Sequence, residues 1–152
     1  MMTTPMVWNY NQIIQMPTQP ITNQPYQTLA KKFIDKYISM VGFGISNCGS
    51  CYSDISKISL HIHNNTNNCN QLYEIIGYDS FKTTLLGLAI VQIKYNNVIY
   101  TCQPVGKKSI LISFYGLSDI NSKYYQTLST IIFSIDKINS CKVINQTIDI
   151  FM

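Results

Sequence analysis

The sequence predicts an α+β fold in which helices pack inside a curved antiparallel sheet, and three observations carry that expectation. Apolar residues recur at three- and four-residue spacings from Leu29 to Val41, the period switches to two from Ile58, and the second half reads as long strands. The order helix, helix, strand pair, helix, long strands places the helices in the first half, a layout typical of α+β domains.

Taken in order, residues 1–24 are rich in Pro, Gln, Asn and Thr without helical or strand period, and read as a flexible tail before a domain spanning 25–152. Leu29, Phe33, Ile34, Tyr37 and Val41 form one helical stripe that Gly42 or Gly44 can end. A short second helix is expected over 50–55, with Cys51, Tyr52 and Ile55 inward. Ile58, Leu60 and Ile62 then alternate with Ser59, His61 and His63 as a half-buried strand. The Asn-rich run 64–68 supplies a polar loop, and 71–76 a second short strand. Asp79 or Ser80 can cap a third helix bearing Phe81, Leu85 and Leu88. Strands follow over 90–95, 98–103, 109–116, 124–135 and 142–151. Asn96-Asn97 either turns a hairpin or interrupts one long strand.

Two strands are apolar on both faces. Ile110, Ile112 and Phe114 alternate with Leu111, Ser113 and Tyr115, and Thr127, Ser129, Ile131 and Phe133 alternate with Gln126, Leu128, Thr130 and Ile132. An antiparallel sheet with one wet face lacks that pattern. Helices cover one face, so the other is expected to meet a second subunit, with Ile112, Phe114 and Ile131 as the dimer-sheet face.

Composition narrows the function classes. The 152 residues suit a single domain, and only 12% are charged, about half the usual share, so polar duty falls on Asn, Ser, Thr and Gln. All 11 basic residues are lysines and they are scattered, against the clustered, Arg-rich pattern of a nucleic-acid binder; no direct nucleic-acid contact is expected. No apolar run reaches the ~20 residues that span a bilayer, and no secretory leader is visible. The five cysteines suit reduced thiols inside a cell. A soluble, non-secreted, non-membrane protein is the expectation.

Several strings, in order, resemble the nuclear transport factor 2-like family in its eukaryotic transport branch. Ala30-Lys31-Lys32-Phe33-Ile34-Asp35-Lys36-Tyr37-Ile38 looks like the opening helix, and Cys51-Tyr52-Ser53-Asp54-Ile55 the segment before the first strand. Gly77, Phe81 and Leu85 sit where the third helix begins. Cys102-Gln103-Pro104-Val105, Ile110 through Leu117 and Tyr124-Tyr125-Gln126-Thr127-Leu128 resemble the run of Gln-Pro, an apolar strand ending in Gly, then aromatic-x-Gln. Asp149-Ile150-Phe151 is similar to the closing segment. The resemblance covers about residues 26–152. It implies a cone of strongly bent antiparallel strands with three helices inside, commonly dimeric through the sheet.

It also implies partners. Nuclear transport factor 2 carries Ran in its GDP form and binds Phe-x-Phe-Gly repeats of nucleoporins, through a site that includes a Trp early in the first helix. Tyr26, seven residues before Phe33, takes the matching position, where it can stack on a repeat Phe or simply pack at the helix start. Tyr26 and Phe33 are thus the implied peptide-binding residues. On the Ran-facing side, Leu60-His61 replaces the family's Trp-Glu and the loop 117–123 keeps only Asp119, leaving His61 and Asp119 as the positions that could face Ran without the acids such an interface uses. The resemblance therefore implies a non-enzymatic binder of Phe-Gly-type nucleoporin or linear-motif peptides in nucleocytoplasmic transport, in cytoplasm and nucleus, as a homodimer or a heterodimer with a paralogue. One alternative is a subunit of an mRNA-export or stress-granule-type scaffold dimer. In the second type the first hairpin is extended, which the loop 64–70 resembles.

Two kinds of chemistry bear on the sequence. Cys48-Gly49-Ser50-Cys51 has zinc-ligand spacing, and His61 and His63 could complete four ligands, but histidines two apart on a strand are expected roughly 7 Å apart, so no metal and no cofactor is the expectation. An isomerase or dehydratase would need an acid or base inside the cone. Asp35, Asp54, Glu74, Asp79, Asp119 and His61 are the titratable choices, and most fall at helix surfaces, caps or loops, so no catalytic residue is assigned.

Overall fold

The computed structural model describes residues 6–9, 24–135 and 141–152. Helix α1 (Gln24–Phe43) buries Ala30, Phe33, Ile34, Tyr37 and Val41 along the expected stripe. It has no acid in its first turn and no base in its last. Its dipole is uncompensated, so the packed face holds it. The expected helix over 50–55 is a correction: the chain makes two 3-10 turns, Ile45–Asn47 and Gly49–Cys51, and Tyr52 is already extended. Leaving helical geometry lets Tyr52 drop its ring against Phe81 at 4.9 Å, while Ile55 points outward instead of inward. Among the described residues the α-helices number two rather than three.

Strands β2 (Lys57–Asn64) and β3 (Cys69–Ile76) form a hairpin, and the Asn run between them is a tight turn in which Asn64 and Asn67 side chains accept the Thr66 and Cys69 amides. Helix α2 (Tyr78–Gly87) buries Phe81 and Leu85. Its N-cap is Gly77, not Asp79 or Ser80, and no side chain caps it. Gly77 has φ +88 and a Cβ there would lie 2.8 Å from the Asp54 carbonyl oxygen, so only glycine fits. Asp79 instead falls in the first turn, where its charge suits the helix dipole.

Four long strands complete the sheet: β4 (Lys94–Val105), β5 (Ser109–Ile120), β6 (Lys123–Ile135) and β7 (Cys141–Phe151). Asn96-Asn97 neither turns nor ends a strand; the register shifts between Asn96 and Ile99, and Asn97 takes φ 50. This bulge bends β4 over β5, where a Cβ on Gly116 would come 3.0 Å from the Asn96 carbonyl oxygen. The expected loop 117–123 is instead a continuous hairpin, because Asn121 and Ser122 both adopt positive φ and supply a two-residue turn. Within the expected tail, Met6–Asn9 form strand β1 on the outer edge of β4. The pairing runs through backbone groups along the edge of the sheet. The rest of that segment lies outside the described residues.

The curved sheet runs β1-β4-β5-β6-β7-β2-β3, antiparallel throughout except where β7 returns alongside β2 in parallel. Helix α1 packs on β4 and β5, and the core lies in the concavity. Phe33 stacks on Phe133 at 4.1 Å, and Tyr37 and Tyr95 meet Phe114 edge-on. Ile112, Phe114 and Ile131 are in this core at 0% exposure. They cannot be the dimer face assigned from the sequence. Where both faces of a strand are apolar, alternation cannot say which parity is inside, and the opposite parity is the outer one.

Candidate interaction surfaces

Three places could carry function: the concavity, the α1 surface and the outer sheet face. In the concavity a polar cluster sits among the aromatics. Tyr37 donates to the Tyr52 hydroxyl (3.0 Å), Tyr52 to Gln146 Oε1 (2.6 Å), and the Gln146 amide to the Tyr37 hydroxyl (2.9 Å) and to Ser129 Oγ (3.0 Å). The ring closes on itself with each donor matched to an acceptor. Burial pushes the Tyr37 and Tyr52 hydroxyls well above the usual tyrosine range, so both stay protonated at neutral pH. This cluster holds no carboxylate or imidazole, and none of Asp35, Asp54, Glu74, Asp79, Asp119 or His61 is among the buried residues.

On α1, Tyr26 and Phe33 part company. Phe33 is 4% exposed and flat against Phe133, so it is a core residue, not a peptide contact. Its place in the third turn of a helix packed on the core makes that burial readable. Tyr26 is half-buried with its hydroxyl turned inward. Burial raises that hydroxyl, against a lowering contribution from Gln27. One turn on, Leu29, Lys32, Phe33, Lys36 and Cys141 line a cleft of about 180 Å³. Tyr26 and Leu29 share the helix face that leads into it.

The outer sheet face is built by the parity that the core does not use. Tyr115 pairs with Leu128, Leu117 with Gln126, and Gln126 with Phe151, all projecting outward around a depression of about 480 Å³. Tyr115 is 53% exposed and Leu128 37%, and Tyr124 extends the patch toward the β5–β6 turn. The second apolar face expected from the sequence is present, but on the opposite parity to Ile112, Phe114 and Ile131. The bulky outward residues Tyr115, Leu117 and Leu128 were the available signal.

His61 and Asp119 both face outward but are not brought together. His61 lies opposite Asp149 on β7, whereas Asp119 is on β5, two strands further, and accepts the Ser122 amide at 2.9 Å across the hairpin turn. What His61 does meet is His63 and Asp149. The imidazole rings approach to 4.7 Å, closer than the expected 7 Å, because the two side chains lean together over Asp149. His63 Nε2 lies 2.9 Å and His61 Nδ1 3.6 Å from Asp149 Oδ1. The Cys48 and Cys51 thiols are elsewhere, fully buried in the core. Burial pushes Cys48 up to about 12 and raises Cys51. With the histidines beside Asp149, the four residues of the considered zinc set are not brought together. In the sequence Asp149 stands out only as part of the closing segment. Its pairing with His61 depends on the parallel β2–β7 register, a long-range feature that local pattern does not contain.

No family model and no curated protein matches the sequence. Solved structures do match in fold. Nuclear transport factor 2 from Cryptosporidium parvum superposes with TM-score 0.64 at 12% identity, covering 82% of this chain and 94% of that one. A chain of the C. albicans Mtr2–Mex67 M domain complex gives 0.63 at 13%, covering 82% and 94%. The yeast Ubp3-associated protein Bre5 gives 0.60 at 17%, covering 82% and 95%. The chain has the nuclear transport factor 2-like fold.

Proposed function

We propose that this nuclear transport factor 2-like domain is a non-enzymatic binding module, paired through the outer face of its sheet and recognising Phe-Gly-type peptides at the α1 cleft beside Tyr26, in traffic between cytoplasm and nucleus. The observation that carries the class is the filled concavity. Tyr37, Phe81, Phe114 and Phe133 occupy it completely buried, and the Tyr37, Tyr52, Ser129 and Gln146 side chains among them are hydrogen-bonded to one another. A catalytic cone needs an acid or base aimed at room for a substrate. Here the apolar surface left for partners is outside.

Two features support the peptide reading. Tyr26 offers a partly open aromatic face, and the neighbouring cleft has an apolar wall from Leu29, with Lys32 and Lys36 at its rim. A Phe side chain stacking on Tyr26 would gain from an offset aromatic contact, and a second site on a paired chain would add avidity. Ran-GDP is not part of the proposal, because His61 and Asp119 are separated and Asp119 is engaged on its own turn.

The test is fluorescence anisotropy of a labelled Phe-x-Phe-Gly peptide titrated with the protein, against a Phe-to-Ser control. Saturable binding should appear only with the Phe peptide. Tyr26→Ala should weaken it about 10-fold, equivalent to about 1.4 kcal/mol, with unchanged circular dichroism. Equal affinity of the two peptides would remove the Phe-Gly reading; equal affinity of Tyr26→Ala would remove the site.

A further inference from the structure

We infer that His61, His63 and Asp149 form a binding site for a divalent transition metal of zinc type on the outer sheet face. The site follows from the topology. His61 and His63 are two residues apart on β2 and so share a face, and the parallel register sets Asp149 of β7 directly opposite His61 on that same face. One ligand atom from each residue lies within 4.8 Å of the other two. Zinc bound to imidazole nitrogen and carboxylate oxygen at about 2.0–2.2 Å places neighbouring ligand atoms roughly 3.4 Å apart in a tetrahedron. The observed 2.9 Å and 3.6 Å separations from Asp149 Oδ1 to His63 and His61 bracket that value. Small side-chain rotations therefore suffice to admit the ion between them.

The surroundings suit an ion rather than a bare hydrogen bond. Phe151 stacks flat on the His63 ring at 4.5 Å and 11°, fixing its plane and shielding one side. The three side chains are partly exposed, which leaves an entry path and an open fourth position toward solvent or a docked partner. Two imidazoles and one carboxylate form a borderline-soft N/O set that favours zinc, nickel or copper over magnesium or calcium. Cysteines do not compete within the cluster: Cys69, the exposed thiol on the other strand of the same hairpin, pairs with Asn64, whose parity is opposite to that of His63. The site is independent of the peptide cleft on α1.

Isothermal titration of the full chain with zinc chloride, and absorption spectroscopy with cobalt(II), test it. One ion per chain should bind, and the cobalt complex should show ligand-field bands without thiolate charge transfer. Asp149→Asn, which keeps the hydrogen bond to His63 but removes the charge, and His61→Ala/His63→Ala should each weaken binding at least about 10-fold. No saturable binding, binding undiminished in both variants, or a thiolate charge-transfer band would overturn the inference. If the double histidine variant fails to fold, Asp149→Asn and the cobalt spectrum still decide.

Discussion

With the chain paired through its outer sheet face as proposed, Leu128→Lys should convert dimer to monomer in sedimentation equilibrium, weakening association at least about 100-fold, or roughly 2.7 kcal/mol. Leu128 stands between Tyr115 on β5 and Asp149 on β7, at the middle of the outward patch. An isologous interface must be complementary to itself, and the uncharged centre formed by Tyr115, Leu117, Leu128 and Phe151 lets two copies meet without like-charge repulsion. A lysine near the two-fold axis places two cations together and desolvates both. The substitution is at an exposed site, so circular dichroism and the urea midpoint should barely move. Phe43→Lys is the control: Phe43 is 79% exposed but lies at the end of α1, off the sheet face, and its replacement should leave association intact. A monomeric wild type, or equal weakening by both variants, would refute the assignment of this face. Recovery of a heterodimer from a monomeric wild type would move the partner from a second copy to a paralogue.

Much of the fold was readable because it rests on local pattern. The α1 stripe, the β2 alternation and the long strands each follow from periods of 3.6 or 2, and their order restricts the layout to α+β. Boundaries failed where backbone geometry overrode composition. Asn121 and Ser122 make a two-residue turn by adopting positive φ, so residues that look like a loop belong to a hairpin. Tyr52 forsakes a helix to reach Phe81. The sites were less legible for a different reason. The position of Tyr26 on the α1 surface is readable because a helix register is local. The parity of β5 and β6 depends on which face the helices choose, and the His61–His63–Asp149 cluster depends on a contact between residues 86 or more apart in sequence. Gln146 was the one polar residue on an otherwise apolar inner parity of β7, alongside Ile148 and Ile150. That solitary position was a usable sign of a buried hydrogen-bonded group.

Gln146→Leu should lower the unfolding free energy by about 3 kcal/mol, and the thermal midpoint by roughly 6–12 °C. The cost is not the loss of one hydrogen bond. Removing the amide strips Tyr52 of its acceptor and Tyr37 and Ser129 of their donor, in a place that water does not reach. Each orphaned buried group costs about 1–3 kcal/mol, and the members of one ring do not add independently. That gives a test of sign as well as size. Adding Tyr37→Phe and Tyr52→Phe to Gln146→Leu removes the orphaned hydroxyls, so the triple variant should be more stable than Gln146→Leu alone, although it carries two further substitutions. The wild type should show a matching pH signature. The two hydroxyls keep their protons in the folded state above 10, the value at which an exposed tyrosine titrates. Stability from them is complete below about pH 10 and falls as pH rises further, because the unfolded chain releases protons that the folded chain retains. Urea midpoints for wild type and the triple variant should therefore converge at alkaline pH. A triple variant weaker than Gln146→Leu, or parallel pH curves for the two proteins, would mean that the ring contributes by packing and not by hydrogen bonding.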